Sequence, residues 1–193
     1  MPFGLKNSAQ AFQRLMDGVL RGLPFVFVYL DDILVASPMA EQHAIDLRAV
    51  LARLSEAGLK INIAKCVLGA GTVTFLGHTI SASGIVPLPA KVDTIANMSL
   101  PQTKVDLQRF LGCVNFYHKF VPHLAEILAP LHVLTASVPE PKSPLLWSQA
   151  QLTSFHRAKK ALQGAVLLHH PDPSATVSFT TDASDPAVGA VLA

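Results

Sequence analysis

Phe25-Val26-Phe27-Val28-Tyr29-Leu30-Asp31-Asp32-Ile33-Leu34-Val35-Ala36 is the stretch whose reading decides the fold. β-Branched and aromatic residues dominate both halves, a composition that reads as strand, tight turn, strand. Asp31 and Asp32 then fall at the tip of a hairpin. Two like charges at the end of a buried hairpin repel each other and lose hydration. A divalent cation relieves both penalties. Hard oxygen ligands suit Mg²⁺, or Mn²⁺ in its place, and paired ions of this kind serve in-line phosphoryl transfer. An acidic pair is also what an ordinary turn contains, because Asp is a common turn residue.

The flanking segments separate those readings. Tyr29-Leu30-Asp31-Asp32 resembles the Tyr-x-Asp-Asp motif of reverse transcriptases. Met1-Pro2-Phe3-Gly4-Leu5-Lys6-Asn7, followed by Ala11-Phe12-Gln13-Arg14-Leu15-Met16-Asp17, resembles the nucleotide- and template-contacting segment of that family. Phe75-Leu76-Gly77-His78 resembles its primer-grip hairpin, and Thr181-Asp182-Ala183-Ser184 the opening strand of an RNase H domain. Order and spacing resemble the pol polyprotein of gypsy-like LTR retrotransposons over nearly the whole chain.

The resemblance implies an RNA-directed DNA polymerase whose partners are a primed RNA or DNA template and a deoxynucleoside triphosphate. It implies Asp31, Asp32 and Asp182 as Mg²⁺ or Mn²⁺ ligands. Phe3 and Gly4 border the nucleotide sugar, Lys6 and Gln13 lie near template, and Tyr29 belongs to the same nucleotide and template set. Lys65 falls where the family places a lysine beside the leaving pyrophosphate, a position for a general acid. Leu76, Gly77 and His78 form the primer grip. Lys104, Arg109, His118 and Lys119 would track duplex phosphates. Read from residue type alone, each of these lysines also fits a solvated surface, and His78 a structural turn.

Composition narrows the class. The chain has 193 residues, is 50% hydrophobic and only 15% charged, which argues against disorder. No apolar run approaches the ~20 residues of a membrane helix, and no basic segment leads an apolar one as in a secretory signal. Cys66 and Cys113 lack metal-type spacing and fit reduced thiols. The expected location is intracellular: cytoplasmic, in a virus-like particle, or nuclear. The net charge of +2 is too small to argue for nucleic acid by itself.

Along the chain, Ser8 can cap a helix reaching about Leu20, with Phe12, Leu15, Met16 and Val19 on its apolar face. Ser37-Pro38 opens a second helix whose Ala44, Leu47, Leu51 and Leu54 face the core and which Gly58 ends. Leu59–Asn62 reads as a strand, and Thr72–Ile80 as a hairpin turning at Gly77, where a primer backbone can approach closely. Helices follow at Lys91–Asn97, after the Thr103-x-x-Asp106 capping box, and after Pro122. Pro139, Pro141 and Pro144 stiffen a linker, and a helix runs from about Gln149 to Leu162. His169 and His170 are sequence neighbours that point apart, unsuited to one metal. Thr176–Thr180 is a strand ending near Asp182, and Val188–Ala193 begins another.

The expected fold is α+β: a partial polymerase palm of antiparallel hairpins with packed helices over 1–86, a thumb-like helical region over 87–135, a linker and connection helix over 136–172, and the truncated start of an RNase H-like domain over 173–193. In the family a further metal-binding Asp lies on a strand upstream of Met1. The chain is therefore expected to be part of a longer pol polyprotein and inactive alone. A non-catalytic remnant that binds duplex through the thumb is the competing reading, and a generic α+β domain with an acidic turn is the third.

Overall fold

The computed structural model describes residues 6–170, 176, 178–184 and 187–192. They form two compact units. One runs to Ala82 and includes Pro87–Lys91. The other holds Ser83–Val86 and continues from Val92.

The first unit is built on an antiparallel hairpin, β1 (Val26–Tyr29) and β2 (Asp32–Val35), with Tyr29 opposite Asp32 and Val26 opposite Val35. Helices α1 (Ser8–Val19) and α2 (Ala40–Glu56) cover one face of it. Met16, Leu20, Val50 and Leu54 are buried there, and Val26, Val28, Ile33 and Val35 pack against them. Each such side chain contributes about 1.5–3 kcal/mol on burial. The helices cover one face of the hairpin, the arrangement expected of a palm. Side chains alternate, so Phe27 (57% exposed) and Tyr29 (52%) occupy the face without helices. The Phe75 ring meets Phe27 there at a steep angle, with centroids 5.8 Å apart.

Several local expectations shift. Asn7, not Ser8, is the residue before α1, and it makes no side-chain cap. Met39 precedes α2, because the Ser37 hydroxyl is committed elsewhere: it donates to Asp46 Oδ2 at 2.6 Å. Gln42 Nε2 donates to the other carboxylate oxygen at 2.7 Å. Neutral donors thus satisfy Asp46, which is 4% exposed. This network turns α2 so that Asp46, Val50 and Leu54 face inward, while Ala44 and Leu51 point to solvent. At its end, Gly58 (φ +71) and Leu59 return their N–H groups to Ser55 and Leu54, the Schellman arrangement. Leu59–Asn62 is not a strand. A 3-10 turn, Ile63–Lys65, follows instead, with Asn62 Oδ1 accepting from Ala64 N. The second hairpin, β3 (Thr72–Phe75) and β4 (His78–Ser81), turns through Leu76 (φ +47) and Gly77 (φ +79), two residues of positive φ that suit a two-residue connection.

β5 (Gly84–Pro87), a strand absent from the sequence expectation, and α3 (Pro89–Ala96) lie where the chain passes between units. The second unit is a helical bundle: α4 (Lys104–Phe116), α5 (Leu124–Ser137) and α6 (Gln149–Gln163). Leu107, Phe110, Leu111 and Val114 recur at helical spacing and are buried, with Leu124, Leu128, Leu131 and Leu134 against them. Thr103 and Asp106 form the expected capping box. The Phe110 and Phe155 rings meet at a tilt, with centroids 4.6 Å apart. Ser154 is buried and donates to the Ile127 carbonyl, beside the helical Pro130 that removes a backbone donor from α5. Residues 138–145 run back along the start of α4, with Val105 N bonded to Pro141 O and Leu145 N to Gln102 O. β6 (Phe179–Ser184) pairs with β7 (Ala187–Leu192). Asp182 lies within β6, opposite Gly189, rather than at a strand's end.

After α6 the chain returns to β5, where Ile85 and Leu168 exchange both backbone hydrogen bonds. Gly84 (φ +141) makes this possible, since a Cβ there would stand 2.2 Å from the Leu168 carbonyl oxygen. Gly84→Ala is expected to lower stability by more than about 2 kcal/mol and to deprotect the Ile85 and Leu168 amides in hydrogen exchange. Gly58→Ala, where nothing lies within 4 Å, should cost only the left-handed penalty of about 1 kcal/mol.

Candidate active site

Asp31 and Asp32 are both exposed at the hairpin tip. Asp31 is in the two-residue turn and Asp32 is the first residue of β2. Leu30, the other turn residue, has φ +52, a left-handed conformation that Leu adopts at a cost. The turn is held from outside the hairpin. The Leu30 N–H donates to Gln13 Oε1 at 2.6 Å, and Gln13 Nε2 donates to the Val28 carbonyl at 3.2 Å. Gln13 thereby reaches the carboxylate hairpin. A shallow depression of about 450 Å³, lined by Ala9, Gln10, Gln13, Arg14, Tyr29 and Leu30, opens beside it.

The other expected residues distribute as follows. Phe3 and Gly4 lie outside the described residues. Lys6 is exposed in the turn before α1. Tyr29 stands on the helix-free face, across the hairpin from Asp32. Lys65 is exposed in the 3-10 turn. Leu76 and Gly77 make the second hairpin's turn, the Gly77 carbonyl accepts from Leu88 N at 2.9 Å, and His78 pairs with Phe75.

In the helical unit Arg109, His118 and Lys119 are exposed, and His118 Nδ1 lies 2.8 Å from the Asn115 carbonyl. Lys104 differs from these. Its ammonium donates at 2.6 Å to the carbonyl of Val138, the residue that caps the C-terminus of α5. A cation there complements the helix dipole. Asp106 accepts from the Thr103 hydroxyl and N–H. Chiefly that side-chain bond, with further help from the backbone and from Arg109, holds its carboxyl below the usual value.

The donor set at the hairpin fits a hard cation in kind but not in number. Two adjacent carboxylates offer oxygen ligands, yet no group of three or more His, Cys, Asp or Glu poised for a metal occurs among the described residues. No helix among them is long and apolar enough to cross a membrane.

Known proteins resemble this chain in sequence and in fold. Residues 1–80 match the family described as "Reverse transcriptase (RNA-dependent DNA polymerase)", and residues 147–193 match "RNase H-like domain found in reverse transcriptase". The Pol polyprotein of transposon opus from Drosophila melanogaster is 38% identical over 201 residues, covering 100% of this chain. This chain belongs to the reverse transcriptase region of the retrotransposon Pol polyproteins. The Tf2-3 polyprotein of Schizosaccharomyces pombe is 34% identical, also over 100% of the chain. The reverse transcriptase segment spans only 20% and 14% of the lengths of these two relatives. A foamy viral protease-reverse transcriptase in complex with double-stranded DNA superposes with TM-score 0.82 at 30% identity, over 95% of this chain and 32% of that one. The foamy viral enzyme in complex with RNA/DNA hybrid gives 0.80 at 30% identity, over 95% and 25%.

Asp106 generates a pH prediction for the helical part of this reverse transcriptase segment. Its folded pKa is depressed, so its contribution is present above the unfolded value near 4 and is lost as pH falls through the folded one. Denaturant unfolding followed from about pH 6 to about pH 2 should show wild type losing more stability than Asp106→Asn over that acid limb.

Proposed function

We propose that this chain supplies the carboxylate hairpin, the primer-side hairpin and the duplex-holding helices of an RNA-directed DNA polymerase. The reaction is attack of a primer 3′-oxygen on the α-phosphate of a deoxynucleoside triphosphate, with pyrophosphate leaving. The observation that carries the reading is the exposure of Asp31 and Asp32 at the tip of a hairpin that two helices back on one face. Carboxylates on a rigid, half-covered hairpin can meet a second strand's carboxylate and a substrate at once.

Asp31 is assigned as metal ligand and Asp32 as its supporting neighbour. Mg²⁺ or Mn²⁺, when bound, neutralises charge developing on the phosphates. Tyr29, Phe3, Gly4 and Lys6 border nucleotide and template. Lys65, exposed on its 3-10 turn, protonates the leaving pyrophosphate. Leu76, Gly77 and His78 hold the primer terminus, and Arg109 and Lys119 contact duplex phosphates. Lys104 joins them with two of its three N–H donors, the third being held by the Val138 carbonyl. Asp182 is the first carboxylate of the nuclease. The working location is intracellular, in a particle or the nucleus, within a larger polyprotein.

Two-metal chemistry draws carboxylates from several strands. The 193-residue chain assayed alone is therefore expected to show neither templated primer extension nor cleavage of an RNA–DNA hybrid. Fused to the finger and palm segment of a gypsy-like element, with its metal-binding Asp, it should extend a primer. In that fusion Asp31→Asn should cost several orders of magnitude, and Lys65→Ala roughly a hundredfold. Arg109→Ala should weaken duplex binding and reduce the log–log salt slope by about one. A folded fusion that stays inactive, or keeps its activity with Asp31→Asn, would reduce the acidic hairpin to a turn.

A further inference from the structure

The side chain of Gln13 makes three hydrogen bonds, two of them to the backbone of the hairpin. Its Oε1 accepts from Leu30 N at 2.6 Å, and its Nε2 donates to the Val28 carbonyl at 3.2 Å and to Asp17 Oδ1 at 2.8 Å. The Asp17 contact fixes which end of the carboxamide is which, because a carboxylate accepts only from the NH₂ end. Asp17 lies one helical turn further along α1, so the pair is also a favourable i, i+4 contact.

Val28 and Leu30 flank Tyr29, which pairs across the hairpin with Asp32. Backbone groups alternate in direction along an antiparallel strand, so Val28 C=O and Leu30 N–H point to the outer edge of β1. The carboxamide meets both, as a neighbouring strand's peptide group would. Leu30 is the residue at φ +52, directly before Asp31. An unfavourable backbone conformation persists where surrounding structure over-determines it. Gln13 provides that determination from α1, which Met16 and Phe12 anchor to the core.

We propose that Gln13 is a positioning residue for polymerisation: its carboxamide pins the Leu30–Asp31 turn from the edge of β1 and so aims Asp31. The kinetic half of this rests on the polymerase reading above. Gln13 acts through the turn and has no need to touch template.

Two measurements separate the parts. In the full 193-residue chain, NMR of Gln13→Met, which keeps volume but removes all three bonds, should show the Leu30 amide exchanging at least about tenfold faster. The φ-dependent coupling of Leu30 should also leave its left-handed value. Gln13→Glu keeps an acceptor for Leu30 N but loses the donors, and should fall between. Adding Leu30→Gly to Gln13→Met should restore the left-handed turn, since glycine adopts it without a Cβ penalty. In the fused polymerase, Gln13→Met should lower kcat roughly tenfold to a hundredfold. Nucleotide KM and duplex affinity should stay within about twofold, and Leu30→Gly should recover part of kcat.

An unchanged Leu30 amide and coupling in Gln13→Met would overturn the pin. Weakened duplex binding at unchanged kcat would overturn it in favour of a template contact. A wild-type fusion that fails to extend a primer sinks the polymerase reading instead, and the Leu30 measurements still decide whether Gln13 holds the turn.

Discussion

The first unit depends on the packing of two helices against one face, and one face only, of a four-residue-per-strand hairpin. Met16 and Leu20 from α1 and Val50 and Leu54 from α2 bury the Val26, Val28, Ile33 and Val35 side. A two-stranded hairpin is marginal by itself in water. The helices make it rigid, and because they cover a single face they leave the tip and the other face open. Asp31, Asp32, Tyr29 and Phe27 are accessible for that reason.

Hydrogen bonds from side chains then set details that apolar packing leaves free. Ser37 and Gln42 fix the rotation of α2 by satisfying buried Asp46. Gln13 fixes the turn before Asp31. In the second unit Trp147 Nε1 donates to the Pro101 carbonyl, and Lys159 Nζ donates to the Met98 carbonyl while lying over the Phe155 ring. These bonds tie α6 and its lead-in to the segment before α4, so the proline-bearing stretch between α5 and α6 is part of the bundle's surface. Buried polar groups of this kind are costly when unpaired, which makes their partners specific. No buried side-chain donor or acceptor among the described residues lacks one.

Much of this was legible because it is local. Leu107, Phe110, Leu111 and Val114 repeat at helical spacing and are all buried. Thr103 and Asp106 announce a capping box and make one. Gly77 announces a hairpin turn and, together with Leu76, makes one. The errors share one cause. Ser37 has the composition of a cap, but a buried carboxylate nine residues on is a better partner for its hydroxyl. Ala44 and Leu51 look like core, but Asp46 takes the inward position.

Sequence alone determined the kind of chain this is: the order of its motifs, the Tyr29-Leu30-Asp31-Asp32 hairpin, and the amphipathic helices that must cover it. Those features rest on residue type and short-range periodicity, which a linear string records in full. Tertiary structure decided which hairpin face is open, what Gln13 and Lys104 are bonded to, and that Gly84 must admit the Leu168 carbonyl. Each of those depends on a partner more than 14 residues away in the chain. Long-range partners are chosen by packing geometry, and no local pattern of residues encodes them.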